Sequence, residues 1–426
     1  MAQQTNAQVV AAQLERVIDK IEVLYERGDD TLQAIQKAND VKTVSTRAMR
    51  IVLQVTAGGN GGYYDPDGGD LGVGSGESYD VATLTPVFTK MSFQMTSLAQ
   101  WATDSDEKAI IDETNRIVSE GMLQYRSFLD KQVNATASAS LGTITVIAGT
   151  TLTFGVPTGA QLFYEGQQIQ FYDTTITNNK SAAAGMVSTV LIVDPITTQT
   201  VVFDQVPATL LVTDVALPQG LAGANPTGIF SIKYHQNNAQ TGVWQNLNRA
   251  TYPVKLQTPR VNGNNGALVP MQPWLAVNKI KKSLGLNKVG KLIAHMAVEQ
   301  SQAWNQLAVT VQIIDRSRRQ TGEGQDMNIR SYEDGPGNMC GIPIKEAQNA
   351  DQTRIDFLDL SVWGRAVMNN LGFYKGANGK VWFQIYGASG GIATAMQFHY
   401  IYNFQVFNRN PRRGAFIDTL ARPAGF

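Results

Sequence analysis

The first clear periodicity in the chain is helical. Between residues 8 and 27 the apolar side chains fall at Val10, Leu14, Val17, Ile18, Ile21 and Leu24, three and four apart, which puts them on one face and predicts an amphipathic arm. Asp29, Asp30 and Thr31 then offer caps for a short second helix through Leu32 and Ile35. Beyond it the period drops to two. Met49, Ile51, Leu53 and Val55 alternate with Arg50, Gln54 and Thr56, and Val87, Met91, Phe93 and Met95 alternate with Lys90, Ser92 and Gln94. Each run predicts a strand with one buried face. Between them lie Gly58-Gly59-Asn60-Gly61-Gly62 and then Gly68, Gly69, Gly72, Gly74 and Gly76, too long a stretch for a tight turn. Residues 45–97 therefore read as one long hairpin with a glycine-rich tip, and a loop of that length is usually functional or disordered.

Asp104, Asp106 and Glu107 open a helix whose apolar positions Ile110, Ile111, Ile117, Val118, Met122, Phe128 and Leu129 continue to about Val133, with Arg126 and Lys131 near its end. Acids at the start and bases at the finish complement the helix dipole. About 30 residues at roughly 1.5 Å each make a rod of about 45 Å. From residue 141 to 221 the composition shifts to Thr, Val, Gly and Pro, with strand-like runs at 143–147, 168–172, 187–193 and 200–203, which predicts a separate small β domain. Helices at 273–284 and 298–307 then flank a strand at 291–296, a Gly-, Asp- and Asn-rich loop covers 320–341, and aromatic-rich strands at 381–386 and 397–408 close the chain. The fold class is α+β.

At 426 residues, two or three domains are expected. Charged residues make up only 16% against a norm of about 25%, so the surface leans on Ser, Thr, Asn, Gln and Gly. Such a surface suits a protein covered by copies of itself, although β-rich secreted proteins share it. Formal net charge is zero, so no field draws the whole molecule onto nucleic acid. Cys340 is the single cysteine, which rules out an intrachain disulfide framework and a thiolate metal site, and fits folding in a reducing cytoplasm. Met1 to Val10 carries no basic segment followed by an apolar run, and no stretch of about 18 apolar residues occurs, so a soluble, non-exported protein is expected, with no membrane partner.

Catalytic patterns are weak. The run from Gly285 to Leu292 is one residue from a phosphate-binding loop, but Leu292 stands where the magnesium-binding hydroxyl belongs, and the helix precedes the strand instead of following it. Gly387-Ala388-Ser389-Gly390-Gly391 matches a nucleophile elbow, yet His399 precedes Asp418, reversing the required order. The better reading of both is a turn. His235, His295 and His399 are scattered with no second ligand at metal spacing, and Cys340 has no histidine nearby in sequence. Asp65-Pro66-Asp67-Gly68-Gly69-Asp70 vaguely resembles a calcium loop, but the twelfth position is Gly76, with Glu77 one place late. No catalytic, cofactor or metal residue is assigned. The charge of the glycine-rich segment is more informative: Asp65, Asp67, Asp70, Glu77 and Asp80 meet no Lys or Arg between residues 57 and 89. An acidic tip calls for a basic dock, for which Arg316, Arg318 and Arg319, or Arg412 and Arg413, are the candidates, beside the plainer reading of these runs as solvated charge.

The order of elements resembles the Hong Kong 97-type capsid fold. Local sequence is similar to the major capsid proteins of tailed bacteriophages: Gly242-Val243-Trp244-Gln245-Asn246-Leu247-Asn248-Arg249-Ala250-Thr251-Tyr252-Pro253, then Val261-Asn262-Gly263 and Gly266-Ala267-Leu268, and Ala294-His295-Met296 leading to Trp304. So are Gly341-Ile342-Pro343-Ile344, Asp356-Phe357-Leu358-Asp359 and the closing Asn410-Pro411-Arg412-Arg413-Gly414-Ala415-Phe416-Ile417. The resemblance implies an N-terminal arm (1–44), an extended-loop hairpin (45–97), a peripheral domain with a spine helix (98–140), an inserted β domain (141–221), an axial domain (222–380) and closing peripheral strands (381–426).

It further implies a non-enzymatic subunit that forms pentamers and hexamers of an icosahedral shell around double-stranded DNA, assembled in the host cytoplasm and residing in the virion. Partners would be copies of the chain, a separate scaffolding protein, portal and decoration proteins, and DNA held without sequence-specific contact. The implied assembly residues are Gly58, Gly62, Asp65, Asp67, Asp70, Glu77 and Asp80 at the tip and Leu14, Ile18 and Ile21 on the arm. Two features depart from family members. No lysine lies between residues 57 and 89 to crosslink the loop, and only about 45 residues precede the first strand, too few for a fused scaffold. The alternatives are an encapsulin-like compartment shell, a β-rich surface or binding protein, and an enzyme using Ser389.

Overall fold

A computed structural model describes residues 28–35, 43–45, 48–63, 67, 72–96, 107–136, 139–155, 159–221, 223–285, 291–307, 337–376, 378–386 and 392–423. The expected arm with Leu14, Ile18 and Ile21, the residues Asp65, Asp70, Arg316, Arg318 and Arg319, and the turn at 387–391 lie outside them. In chain order the main elements begin with helix α1 (Asp30–Ala34) and strands β1 (Ala48–Thr56), β2 (Ser78–Leu84) and β3 (Val87–Thr96), then helix α2 (Glu107–Asn134). Strands β4 (Gly142–Ala148), β5 (Thr151–Phe154), β6 (Gln168–Tyr172), β7 (Ser188–Asp194), β8 (Thr200–Phe203) and β9 (Val215–Pro218) follow. After β10 (Arg260–Asn262) come α3 (Met271–Leu284), β11 (Leu292–Met296) and α4 (298–307). The chain closes with β12 (Ile342–Glu346), β13 (Ile355–Asp359), β14 (Trp363–Phe373), β15 (Phe383–Tyr386), β16 (Ile392–Asn408) and β17 (Ala415–Asp418).

The described residues fall into two compact units, one within Met1–Asp29, Val87–Asp130 and Val367–Phe404, the other within Asp30–Pro86, Lys131–Ala366 and Gln405–Phe426. In the first, β3 runs antiparallel to β16 from Val87↔Phe404 to Thr96↔Ala395, and β15 also pairs β16. This alternation turns Phe93, Phe398 and Tyr400 toward α2, with Phe93 and Phe398 stacked at 5.4 Å and Tyr400 against Tyr125 at 6.2 Å. Gly121 is what lets the helix close on this cluster, because a Cβ there would stand 3.0 Å from the Phe93 ring. The buried hydroxyls are paired: Tyr400 donates to the Val118 carbonyl at 2.7 Å, and Tyr125 meets Thr89 Oγ1 at 2.7 Å. Burial pushes the Tyr400 phenol up to about 12.

One expected pairing fails. The strand at 87–95 is not the partner of the strand at 49–55; β1 pairs β2, from Met49↔Leu84 through Val52↔Val81 to Thr56↔Ser78. The reason is compositional. Ser78-Tyr79-Asp80-Val81-Ala82-Thr83-Leu84 buries only Ala82 and Leu84, so its alternation is faint, while Phe93 finds its aromatic partners more than three hundred residues along the chain.

Besides the β1–β2 hairpin, the second unit holds a barrel and a larger mixed sheet. Strands β4 to β9 close into a six-stranded barrel in the order β9-β4-β5-β8-β7-β6. Closure removes the exposed edges that a set of short Thr- and Val-rich strands would otherwise present. Its interior is filled by Ile144, Leu152, Phe154, Ile169, Phe171, Val190, Val201 and Phe203, all at most 1% exposed. The second structure is a mixed sheet in the order β10-β17-β13-β11-β12 and Asn338–Met339, whose core includes Ala294, Met296, Ile355, Phe357 and Ile417 with Ala276, Val277 and Ile280 from α3. Trp304 on α4 joins that core and spends its indole N–H on the Asn338 carbonyl at 2.9 Å.

Two histidines are sealed into this unit. His235 Nε2 sits 3.1 Å from the Val406 carbonyl, and His295 Nε2 sits 3.0 Å from Thr31 Oγ1 on α1. Burial lowers His235 from 6.5 to about 3 and His295 to about 4, so both are neutral in the fold. Below pH 6.5 the unfolded chain binds protons at these residues that the folded chain refuses, so stability must fall with acidification. Two such protons give a slope of about 2.7 kcal/mol per pH unit between roughly pH 6 and pH 4. Urea denaturation at stepped pH should show this decline, and His295→Gln should remove about half of it; a flat profile would contradict the burial of both rings.

Candidate assembly interface

The β1–β2 ladder does not stop at Thr56↔Ser78. The Gly59 amide donates to the Ser75 carbonyl at 2.8 Å, and Asn60 Nδ2 to the Val73 carbonyl at 2.7 Å, so the hairpin is held as a ribbon to residue 60. Gly58 makes this possible. It has φ of +72°, and a Cβ would lie 2.5 Å from the Ser75 carbonyl oxygen. Gly58→Val should therefore fray the ribbon, at a cost of about 2 kcal/mol from the left-handed backbone and the clash together. Hydrogen exchange should quicken across 57–77 and leave β4–β9 unchanged. Toward the tip, Gly62, Tyr63, Asp67 and Val73 are exposed, Val73 at 85%.

The root of the hairpin is built by the stretch 242–255. Val243–Trp244 and Leu247–Asn248 pair antiparallel around Gln245 and Asn246, both with positive φ, the two-residue turn whose twist suits adjoining strands. Trp244 is fully buried. Gln245 uses its carbonyl to accept from Thr83 N on β2 at 3.0 Å and its side chain to donate to the Asn408 carbonyl at 2.6 Å. Lys255 Nζ donates to the Val55 carbonyl on β1 at 2.7 Å. Arg249, 2% exposed, anchors the stretch by donating to the carbonyls of Leu256 at 2.6 Å and Tyr234 at 3.2 Å. Sequence reading singled out this stretch only by resemblance. The Gln-Asn pair between two apolar residues was the local sign of a hairpin, and nothing marked Lys255.

The five acids do not act alike. Glu77 accepts a hydrogen bond from the Tyr79 hydroxyl, which raises the Tyr79 pKa, and Asp80 does the same to Tyr252 while also taking the Val81 amide at 2.7 Å. Asp80 thus belongs to the root of the hairpin. Asp67 is exposed, and Asp65 and Asp70 fall outside the described residues. Of the basic candidates, Arg413 lies 3.4 Å from Asp359 and 3.2 Å from Ser361 Oγ, so a carboxylate of its own chain already answers its charge. Arg412 donates to the Ser283 carbonyl near the end of α3. Among the described residues no three His, Cys, Asp or Glu side chains converge as a metal site would require. Among the same residues no helix is long and apolar enough to cross a membrane.

No family model matches the chain, and no curated protein matches it by sequence. Solved structures do. A chain of the cyanophage A-1(L) capsid asymmetric unit aligns over 95% of this chain and 96% of its own length, at 12% identity and a TM-score of 0.54. A chain from the capsid of the native GTA particle aligns over 99% and 100% at 12% identity and a TM-score of 0.45, and one from Mycobacterium phage Bobi over 100% of both chains at 10% identity and 0.46. The cyanophage match carries the conclusion: this chain has the fold of a phage capsid chain.

Proposed function

We propose that the chain is a major capsid protein of a tailed bacteriophage, a subunit of Hong Kong 97 type that forms the pentamers and hexamers of an icosahedral shell around double-stranded DNA. The observation that carries this reading is the likeness to a cyanophage capsid chain along nearly the whole length of both. The mechanism is geometric. A ribbon rooted through Gln245, Tyr252 and Lys255 presents its glycine-rich tip to a neighbour, and the arm with Leu14, Ile18 and Ile21 straps another. Each contact can be weak because closed symmetry repeats it many times. Zero net charge suits a wall that encloses DNA without gripping it. Scaffolding, portal and decoration proteins complete the set of proposed partners, with assembly in the host cytoplasm and residence in the virion. With no lysine between residues 57 and 89, the shell is held without a loop crosslink. Negative-stain microscopy of the purified chain, alone and with its neighbouring gene products, tests the reading: closed shells are expected, and monomers under every condition would sink it.

A further inference from the structure

An asparagine side chain is open to attack by the backbone nitrogen that follows it, and most so before glycine, which has no Cβ to shield that nitrogen or restrain its approach. The chain has four such pairs, Asn60-Gly61, Asn262-Gly263, Asn265-Gly266 and Asn378-Gly379. In three of them the glycine N–H is already spent. Gly263 donates to the Asp418 carbonyl at 2.8 Å, Gly266 to the Gly263 carbonyl at 3.0 Å and Gly379 to the Gly376 carbonyl at 2.9 Å. Gly263 is also packed, since a Cβ there would stand 2.8 Å from Leu420 Cδ2 and 2.9 Å from the Asp418 carbonyl oxygen. Gly61 differs on both counts. Among the described residues nothing accepts its N–H, a Cβ on it would meet nothing within 4 Å, and Asn60, Gly61 and Gly62 are all exposed.

We propose that Asn60 is a site of spontaneous deamidation, and that the reaction removes the outermost rung of the ribbon. The Gly61 nitrogen gives up its proton and attacks Cγ of Asn60; a C–N bond forms, the bond from Cγ to Nδ2 breaks, and ammonia leaves with the proton. Water then opens the succinimide ring at either carbonyl, which leaves aspartate or its isomer with the main chain routed through the side chain. Nothing is oxidised or reduced. In the intact chain Nδ2 donates to the Val73 carbonyl at 2.7 Å. After the reaction a carboxylate faces that carbonyl, acceptor against acceptor, and the bond cannot form again. The ribbon then ends one rung earlier, where Gly59 donates to Ser75. While it lasts, the bond to Val73 restrains the carboxamide, so the ribbon also governs the rate of its own loss. The chemistry belongs to the chain alone and does not depend on the shell reading.

Peptide mapping by mass spectrometry of the full chain, aged in mildly alkaline buffer, tests the site with the other three pairs as internal controls. Asn60 is expected to convert about five- to tenfold faster than Asn262, Asn265 or Asn378, because an amide that must first release a carbonyl is slowed by up to roughly that factor. Gly61→Ala has open space for its methyl group and should slow Asn60 by on the order of tenfold while leaving the other three pairs unchanged. Gly58→Val, which frays the ribbon, should quicken Asn60 alone. Asn60→Asp, the product made directly, should raise hydrogen exchange at the Gly59 amide severalfold. Equal conversion at the four pairs, or an Asn60 that outlasts any of the others, overturns the site. Unchanged exchange at Gly59 in Asn60→Asp overturns the loss of the rung.

Discussion

A chain in which residues 57–77 are replaced by Asn-Gly should fold normally and build no shells. Thr56 and Ser78 face each other in the ladder, so two residues close the hairpin at a point where the strands are already paired. The contacts that root the ribbon, Thr83 to Gln245, Val55 to Lys255 and Asp80 to Tyr252, all lie below the cut. Thermal unfolding should therefore shift by no more than a few degrees, which calorimetry reads, while sedimentation and microscopy should find only small oligomers. Shells of ordinary size and stability from this variant would show that the tip is dispensable and would remove the proposed assembly role of residues 58–76.

Replacing Arg354 with alanine should cost about 3–5 kcal/mol, read as the midpoint and extrapolated free energy of urea denaturation. Arg354 is 9% exposed and Asp356 5%, and they meet at 2.7 Å. The guanidinium also donates to the Gln236 carbonyl at 2.6 Å and lies 4.0 Å over the Phe416 ring, so one side chain ties β13 and β17 to the segment that follows Ile232–His235. Burial already raises the Asp356 pKa against the pull of Arg354. Without that arginine the carboxyl is driven higher still and stays protonated in the fold. The folded variant then binds a proton that its unfolded form releases, so the deficit against wild type grows as pH rises above the ordinary carboxylate range. Substituting both residues with apolar groups of similar size should recover most of the loss, because the penalty is a buried carboxyl left without its partner and not a missing attraction.

The elements that sequence reading captured are those whose burial is dense and local. Ile117 to Val133 lies within α2, and the apolar runs at 143–147 and 168–172 are strands of the barrel. What escaped is what depends on partners far along the chain. The choice of β16 for β3 is written in Phe93, Phe398 and Tyr400, which mean nothing singly, and β2 is masked by exposing five of its seven side chains at least partly. The root of the hairpin escaped for another reason. Gln245 acts partly through its carbonyl, and Lys255 binds a carbonyl, so neither role depends on a recognisable charge partner. The acidity of residues 65–80 was legible as a sum, but only geometry separates Asp80, bound to Tyr252, from Asp67 at the exposed end.

The barrel has one more consequence. Its first and last strands are neighbours, with Thr143 opposite Val215, Gly142 opposite Ala216, and the Leu141 amide on the Ala216 carbonyl at 2.9 Å. Residues facing each other in such a pair have Cα atoms about 5 Å apart, so chain entry and exit form a single doorway. A segment joined this way is a cassette: any foreign domain whose two ends come together could be spliced in at 142 and 216 without asking the surrounding backbone to stretch. The same closure makes the loop at 194–200, pinned by Asp194 to the amides of Ile196, Thr197 and Thr198, a rigid perch for a displayed epitope.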